Sequence, residues 1–473
     1  MRLLARCAAA LMLGLSAPAT AAPERPELVV GYVKQADLAP FALALDRGYF
    51  AEEGLNVRLE EARTWTEMAE RLAQGGLDAG QMLATQPVAS AAGMMEGPRF
   101  VASTVLAANG GAITVSNGVW RRMRRYVRLE GAGRPVHPIS AGALLEVFGE
   151  FKRQGQPMQM GVDHPLSPSN YLLRYWMAAG GGHPGFYSAE DPKGDLRADI
   201  ALLEFPTVFM PVALRADLLD GYAVAAPWGQ QALLLDTGVP VVTQDQIAPM
   251  SPQTVLGVTE AFAAENPETV LALTKALLRA CRDLSKSDRL RAAELMRRPE
   301  YLGLSAQALQ SFLDGSVEYE RGDLRPAPRF GLFFKEYATY PYLSDAIWYL
   351  TQMRRWGQIG EPKIDTWYWE TAAAAFKPDI YEAAAAALVA EGKAEASDFP
   401  TDPGPRRDLS PAAAGAQGFI DFKSFDPVRP NAYIDGFAVG LKSNEFVERG
   451  QVFAVSIEPA VNLVKAQRVN RAE

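Results

Sequence analysis

The sequence predicts an α/β fold of two lobes followed by a helical C-terminal extension. Three observations carry this. Strand-length apolar runs alternate with helix-period segments from about residue 27 to 259, which implies mainly parallel sheets covered on both faces. One corner is written twice: "LDAGQMLATQPVA" from Leu77 and "LDGYAVAAPWGQQ" from Leu219 both run from Leu-Asp through a short apolar strand to a proline, Pro87 and Pro227. Two extended crossovers, near 105–116 and 240–258, let the chain leave the first lobe, build the second and return.

The elements follow in order. "ELVVGYV" (27–33) has the length of a buried strand. "LAPFALALDRGYFAEEG" has helix periodicity, with Asp37 as N-cap and Gly54 as its stop. "LNVRLEEA" alternates as a strand does, and the following helix is capped by Thr64 and ended by Gly75-Gly76. "LDAGQML" reads as a strand and "TQPVASAAGMM" as a helix. The second series is a helix over 140–155, strand "MQMGVD", helix "SNYLLRYWMAAGG", strand "ADIALLEF", a helix over 207–218 and strand "GYAVAAP". From about 260 to 395 the periodicity is helical, including "LSDAIWYLTQMRRWG" with Ser344 as cap and Gly357 as stop. The expected organisation is a leader over 1–21, lobe 1 over 27–108 plus about 250–300, and lobe 2 over 115–245. A helical region over 300–395 then packs on the lobes, and a linker and extended tail fill 396–473.

The start of the chain, "MRLLARCAAALMLGLSAPATAA", joins two arginines, an apolar run and an Ala19-Thr20-Ala21 site. This is the layout of a secretory signal cleaved after Ala21, and it points to the periplasm. Without those 21 residues, 45 basic residues stand against 55 acidic ones, a net charge of −10. Such a surface repels phosphate backbones and anionic membranes, so nucleic acid is not an expected partner. Apolar residues make up 48% of the 473, enough for substantial cores. Cys281 alone remains after cleavage, which excludes an intramolecular disulfide, and three scattered histidines give no metal-ligand spacing. No cofactor is expected.

The chain carries no G-x-S-x-G elbow, Walker loop, H-E-x-x-H or C-x-x-C, and it is read as a binding protein rather than an enzyme. Two lobes with a cleft suit hinge closure on a small ligand, bound where parallel strands end. The doubled corner offers Gln81, Thr85 and Gln86 in lobe 1, and Trp228, Gln230 and Gln231 in lobe 2. Each of these is read either as a cleft residue or as ordinary strand-to-helix structure. Lys34, following the first strand, is either a cleft cation or a solvated surface lysine. Tyr222 reads as core, and Trp65 as either core or cleft.

"GYVKQADLAPFALALDRGYFAEEGLNVRLEEARTWTEMAERLAQGGLDAGQML", "NYLLRYWMAAGG", "GYAVAAPW", "YPYLSDAIWYLTQMRRWGQI" and "RPNAYIDGF" together resemble the nitrate- and bicarbonate-binding subfamily of ABC-transporter periplasmic binding proteins. The resemblance runs from about Gly31 to Gly436 and implies a type II two-lobed binding fold. It also implies a monomer that delivers a small ligand to a membrane permease and its ATPase. Residues carried over are Trp65, the Asn109-Gly110-Gly111 loop and Ser169. Where family members hold an anion with a histidine, a lysine and a glutamate, this chain reads Ser169, Pro249 and Ala226, and Gly111 stands in place of an amide. Loss of a buried cationic partner costs about 2–5 kcal/mol, or a factor of roughly 30 to several thousand in affinity. Either Lys34, Arg63 or His164 supplies another cation, or the ligand differs, an aromatic and largely neutral pocket suiting a larger organic molecule. Two further classes share this fold: a ligand-sensing regulator, and an enzyme of the thiamine-precursor type.

Overall fold

The computed structural model describes residues 22–153, 155, 157–196, 198–401, 403 and 418–442. The expected leader over 1–21 lies outside them. The apolar run Glu27–Tyr32 forms strand β1, which pairs in parallel with β2 (Asn56–Glu61) on one side and β3 (Ala79–Leu83) on the other. Strand β4 spans Phe100–Ala108, after which the chain crosses to the second lobe. There it lays down β5 (Gly111–Ser116), β6 (Met158–Val162), β7 (Ile200–Glu204), β8 (Gly221–Ala225) and β9 (Gly238–Thr243). It then returns as β10 (Pro252–Thr259), antiparallel to both β3 and β4.

The two five-stranded sheets have matching orders, β2-β1-β3-β10-β4 and β7-β6-β8-β5-β9. In each, the strand that arrives by a crossover, β10 or β5, runs antiparallel between the third and last strands of that lobe. The doubled Leu-Asp corner is the entry to the third strand in both. Asp78 donates its backbone N–H to the Val29 carbonyl (2.9 Å) and accepts the Val29 N–H on Oδ2 (2.8 Å). Asp220 does the same with Gln159, both contacts at 2.8 Å. The preceding leucines also match: a Cβ added at Gly31 would lie 2.5 Å from Leu77, and one at Gly161 would lie 2.6 Å from Leu219. Each lobe therefore uses an aspartate to close the start of the ladder between two interior strands and a glycine to admit a leucine.

Some local readings need correction. The helix expected over 38–54 is broken at Gly48 (φ 73°) into Ala39–Asp46 and Tyr49–Glu52. Asp37 is not its cap; it sits buried in a 3₁₀ turn, Ala36–Leu38, facing the sheet. Ser344 is buried inside the helix Leu343–Arg355, whose N-cap is Tyr342. Thr64 does cap its helix, accepting the Glu67 N–H.

Helix Leu343–Arg355 touches Thr85–Ala91 of lobe 1 and Pro168–Ala179 of lobe 2. Helix Pro267–Lys286 packs on Ala39–Asp46 and on Pro378–Ala390, where buried Lys275 pairs with Glu53 and Glu391. Of the tail, 418–442 is described and is not merely extended. It contains helix Pro430–Asp435, and Trp348 donates to the Tyr433 hydroxyl (3.1 Å) while Leu441 N–H donates to the Arg355 carbonyl (2.8 Å). Residues 404–417 and 443–473 lie outside the described residues.

Candidate ligand-binding cleft

The carboxyl ends of β1, β3, β6 and β8 meet across a seam between the lobes, and polar groups from both sides bond across it. Ala36 N–H donates across it to the Ala226 carbonyl (2.8 Å), while Ala226 N–H continues the β8–β5 ladder within lobe 2 by donating to the Gly110 carbonyl (2.6 Å). The Trp228 indole donates to the Lys34 carbonyl (3.0 Å), and the Thr85 hydroxyl donates to the Leu166 carbonyl. The Asp163 carboxylate, following β6, accepts at Oδ2 from the Trp65 indole (2.9 Å) and the Gln35 amide (3.1 Å). These bonds hold the lobes shut on a pocket of about 10 Å³ lined by Ala36, Asp37, Gly110, Ala226 and Phe330, roughly the room of one water.

Among the buried polar atoms with no hydrogen-bond partner are Gln35 Oε1 and Asp163 Oδ1 at this seam, Ser169 Oγ on the following helix, and Gln244 Oε1 and Gln253 Nε2 on the returning crossover; Arg174, Trp356 and others elsewhere in the fold have such atoms too. Orphaned buried groups of this kind are costly, about 1–3 kcal/mol each, and mark places where a partner belongs. Asp37 is fully paired instead, accepting from Gln81 Nε2 (3.1 Å) and Thr254 Oγ1 (2.7 Å). Burial pushes the Asp37 carboxyl up to about 6, with the nearby Asp163 charge adding to it against the donors of Thr254 and Gln81. Burial likewise raises Asp163, opposed by the neighbouring Ser167 hydroxyl and by the hydrogen bonds from Trp65 and Gln35. His164, next in the chain, is held near 4 by burial, so its ring is neutral at physiological pH, and Nδ1 accepts the Leu166 N–H.

The sequence-derived candidates separate into three groups. Trp65 and Thr85 bond across the seam, to Asp163 and to the Leu166 carbonyl, and Ser169 lies in the first turn of the helix that follows Leu166; all three are almost fully buried. Gln81 and Gln86 brace lobe 1 from within: Gln81 accepts the Val33 N–H, and Gln86 accepts the Leu83 N–H and donates to the Trp65 carbonyl. Asn109 (φ 60°) ties the crossovers together, exchanging bonds with Ser251 and donating to Asp245 (3.0 Å). Gly110 accepts from Ala226, and Gly111 has the Gln244 amide where its side chain would be, an added Cβ lying 2.7 Å from that group. Gln244 Nε2 donates in turn to Gln253 Oε1 (2.6 Å).

Tyr222 belongs to the packed interior, its hydroxyl donating to the Trp228 carbonyl (2.8 Å), while Trp228 is a buried seam residue whose indole bonds the Lys34 carbonyl of lobe 1. The Lys34 ammonium does not enter the cleft. It bonds the Pro299 carbonyl (3.2 Å) and Glu61 (3.1 Å), because the chain turns sharply after β1, the Gln35 N–H bonding the Val33 carbonyl (2.8 Å), which leaves Lys34 facing outward and Gln35 facing the seam. Arg63 is exposed, Pro249 is buried, and Gln230 bonds the Glu318 carbonyl.

Sequence reasoning missed Gln35, Asp163, Gln244 and Gln253. One available signal was position: Asp163 directly follows the strand "MQMGV", as Lys34 and Gln35 follow theirs, at the end where parallel sheets bind ligands. Among the described residues no group of three or more His, Cys, Asp or Glu gathers to hold a metal, and no helix is long and apolar enough to cross a membrane.

Residues 21–296 match the model of the NMT1-like family. The chain is 31% identical over 429 residues to the nitrate import ATP-binding protein NrtC of Synechococcus elongatus, covering 89% of this chain and 57% of that protein. The chain spans about half the length of the first curated relatives it matches. It is 26% identical to the nitrate/nitrite binding protein NrtA of Synechococcus elongatus, covering 88% of this chain and 87% of that one. The fold resembles the crystal structure of the periplasmic nitrate-binding protein NrtA from Synechocystis PCC 6803, with a TM-score of 0.75 at 20% identity over 89% of this chain and 100% of that chain.

Proposed function

The chain belongs to the NMT1-like family, and on that premise we propose that it is an exported solute-binding protein of an ABC importer. It acts in the periplasm as a monomer, closes its lobes on one small solute and presents it to a membrane permease with its ATPase, without turnover. The observation that carries this reading is the seam itself. Two sheets of matching order meet at their carboxyl ends, joined by few bonds and lined by buried polar atoms that lack partners. The names of the relatives, a nitrate/nitrite binding protein and an import ATP-binding protein, support a place in solute import. Trp65, Ser169 and Thr85, joined by Gln35 and Asp163, form the proposed ligand-facing set, and Asn109 and Gly110 the proposed hinge.

Small-angle scattering tests it. The unliganded chain populates an open form whose radius of gyration falls when a bound solute closes it. A radius unchanged by any stabilising solute rejects hinge capture.

A second reading is favoured by the likeness to import ATP-binding proteins of which this chain spans about half. In it the domain senses solute and regulates an ATPase instead of delivering cargo. Reconstituted transport separates the two: a carrier is required for solute to enter at all, whereas a sensor only scales the rate.

A further inference from the structure

The orphaned oxygens of Gln35 and Asp163 at the seam differ in sign from the groups an oxyanion needs. Nitrate, bicarbonate or a sulfonate presents mainly acceptor oxygens and negative charge, so its site must offer donors and, when buried, a cation. Gln35 Oε1, Asp163 Oδ1 and Gln244 Oε1 are acceptors, Ser169 Oγ can be either and Gln253 Nε2 is a donor, so it is the Gln35–Asp163 pair that offers acceptors alone. Asp163 Oδ1 and Gln35 Oε1 are buried and unpaired, and their residues are 3% and 0% exposed. The Gln35 amide cannot be turned to present its donor there, because Nε2 is committed to Asp163 Oδ2, and the reversed amide would set oxygen against carboxylate. Ser169 Oγ, in the first turn of the helix that follows Asp163 and 2% exposed, is also unpartnered and can donate or accept. A second buried carboxylate, Asp37, stands near enough to Asp163 to feel its charge.

The bases nearest in sequence do not answer these carboxylates. Lys34 is paired with Glu61, and His164 is neutral. Arg174, buried on the helix that Ser167 caps, donates to the Pro184 and Gly185 carbonyls and lies against Gly194, within lobe 2.

We propose that the cleft takes a small organic cation bearing N–H donors, of the ammonium or amidinium class, with Asp163, Gln35 and Ser169 as its polar contacts. The inference rests on the solute-binding reading above and sets its ligand class. One N–H of such a solute meets Asp163 Oδ1, another meets Gln35 Oε1, and the buried charge gains the counter-ion that the fold does not supply. Nitrate in the same place sets oxygen against oxygen on both contacts.

The test uses the mature full-length chain. A cell-free small-molecule extract is split by ion exchange into cationic and anionic fractions, and each is scored by thermal shift beside defined nitrate and bicarbonate. Stabilisation by the cationic fraction, weakened at least tenfold in midpoint concentration in D163N, is the expected result. Stabilisation by nitrate, bicarbonate or the anionic fraction that survives or strengthens in D163N overturns the assignment. Stabilisation by neither fraction counts against the solute-binding reading itself and takes this inference with it. D37N provides the second variant where D163N folds poorly: it weakens cation binding through charge while leaving the Asp163 contacts in place.

Discussion

Trp65→Phe tests whether the seam is a true interface between moving bodies. The indole of Trp65, in lobe 1, is 1% exposed and donates to Asp163 Oδ2, in lobe 2, at 2.9 Å. A hydrogen bond to a charged group contributes about 1.5–3 kcal/mol. Because this bond exists only while the lobes are closed, its loss falls on closure and not on the lobes themselves, favouring opening by a factor of about 10 to 150. Hydrogen exchange reads this directly at two amides. The Ala36 N–H is bonded across the seam to Ala226, and the Asp78 N–H is bonded within lobe 1 to Val29. In the variant the Ala36 amide exchanges about 10- to 150-fold faster, while the Asp78 amide changes only by whatever global stability the smaller ring removes. Equal acceleration of both amides refutes the reasoning, since Trp65 would then be ordinary lobe core. No acceleration of either refutes it as well.

Three further outcomes follow from the geometry. Asp37 is held at about 6 against an ordinary value near 3.8, so the folded form keeps its proton in that window. Stability it contributes is full below about pH 4 and is lost as pH rises through 6, by about 3 kcal/mol; D37N lacks this decline in urea titrations across that range, and a parallel pH profile contradicts it. Asp78→Ala and Asp220→Ala each cost about 1–3 kcal/mol in urea unfolding, and by similar amounts, because both aspartates close the start of an interior strand ladder in the same way; a large loss in one lobe with none in the other breaks the equivalence. Gly111→Ala costs about 1–3 kcal/mol, as its Cβ would lie 2.7 Å from the Gln244 amide and 3.0 Å from the Val224 carbonyl; an unchanged unfolding midpoint shows that the amide moves freely.

The fold was legible because its signals are local and repeated. Leu77-Asp78 and Leu219-Asp220 spell the same ladder-closing contact twice, and strand-to-helix alternation fixes the parallel sheets. Thr64 at its cap follows from short-range chemistry alone. The cleft was less legible because its chemistry depends on which way a side chain turns at a strand end. Lys34 and Gln35 are adjacent, yet one reaches Glu61 and the other Asp163 across the seam, and composition does not choose between them. Asp37 looks like a helix cap in sequence and is a buried carboxylate in space, since Thr254 and Gln81 arrive from distant strands to bond it. The Gln244 amide filling the space at Gly111 joins residues 133 positions apart, a pairing that only the two crossovers bring about.

Native mass spectrometry of the mature chain, incubated with a small-molecule extract and desalted gently, tests the central claim most directly. A single solute bound one to one, and released when the chain is denatured, is the result that capture between two lobes predicts. A chain that emerges at its own mass from every such incubation contradicts it.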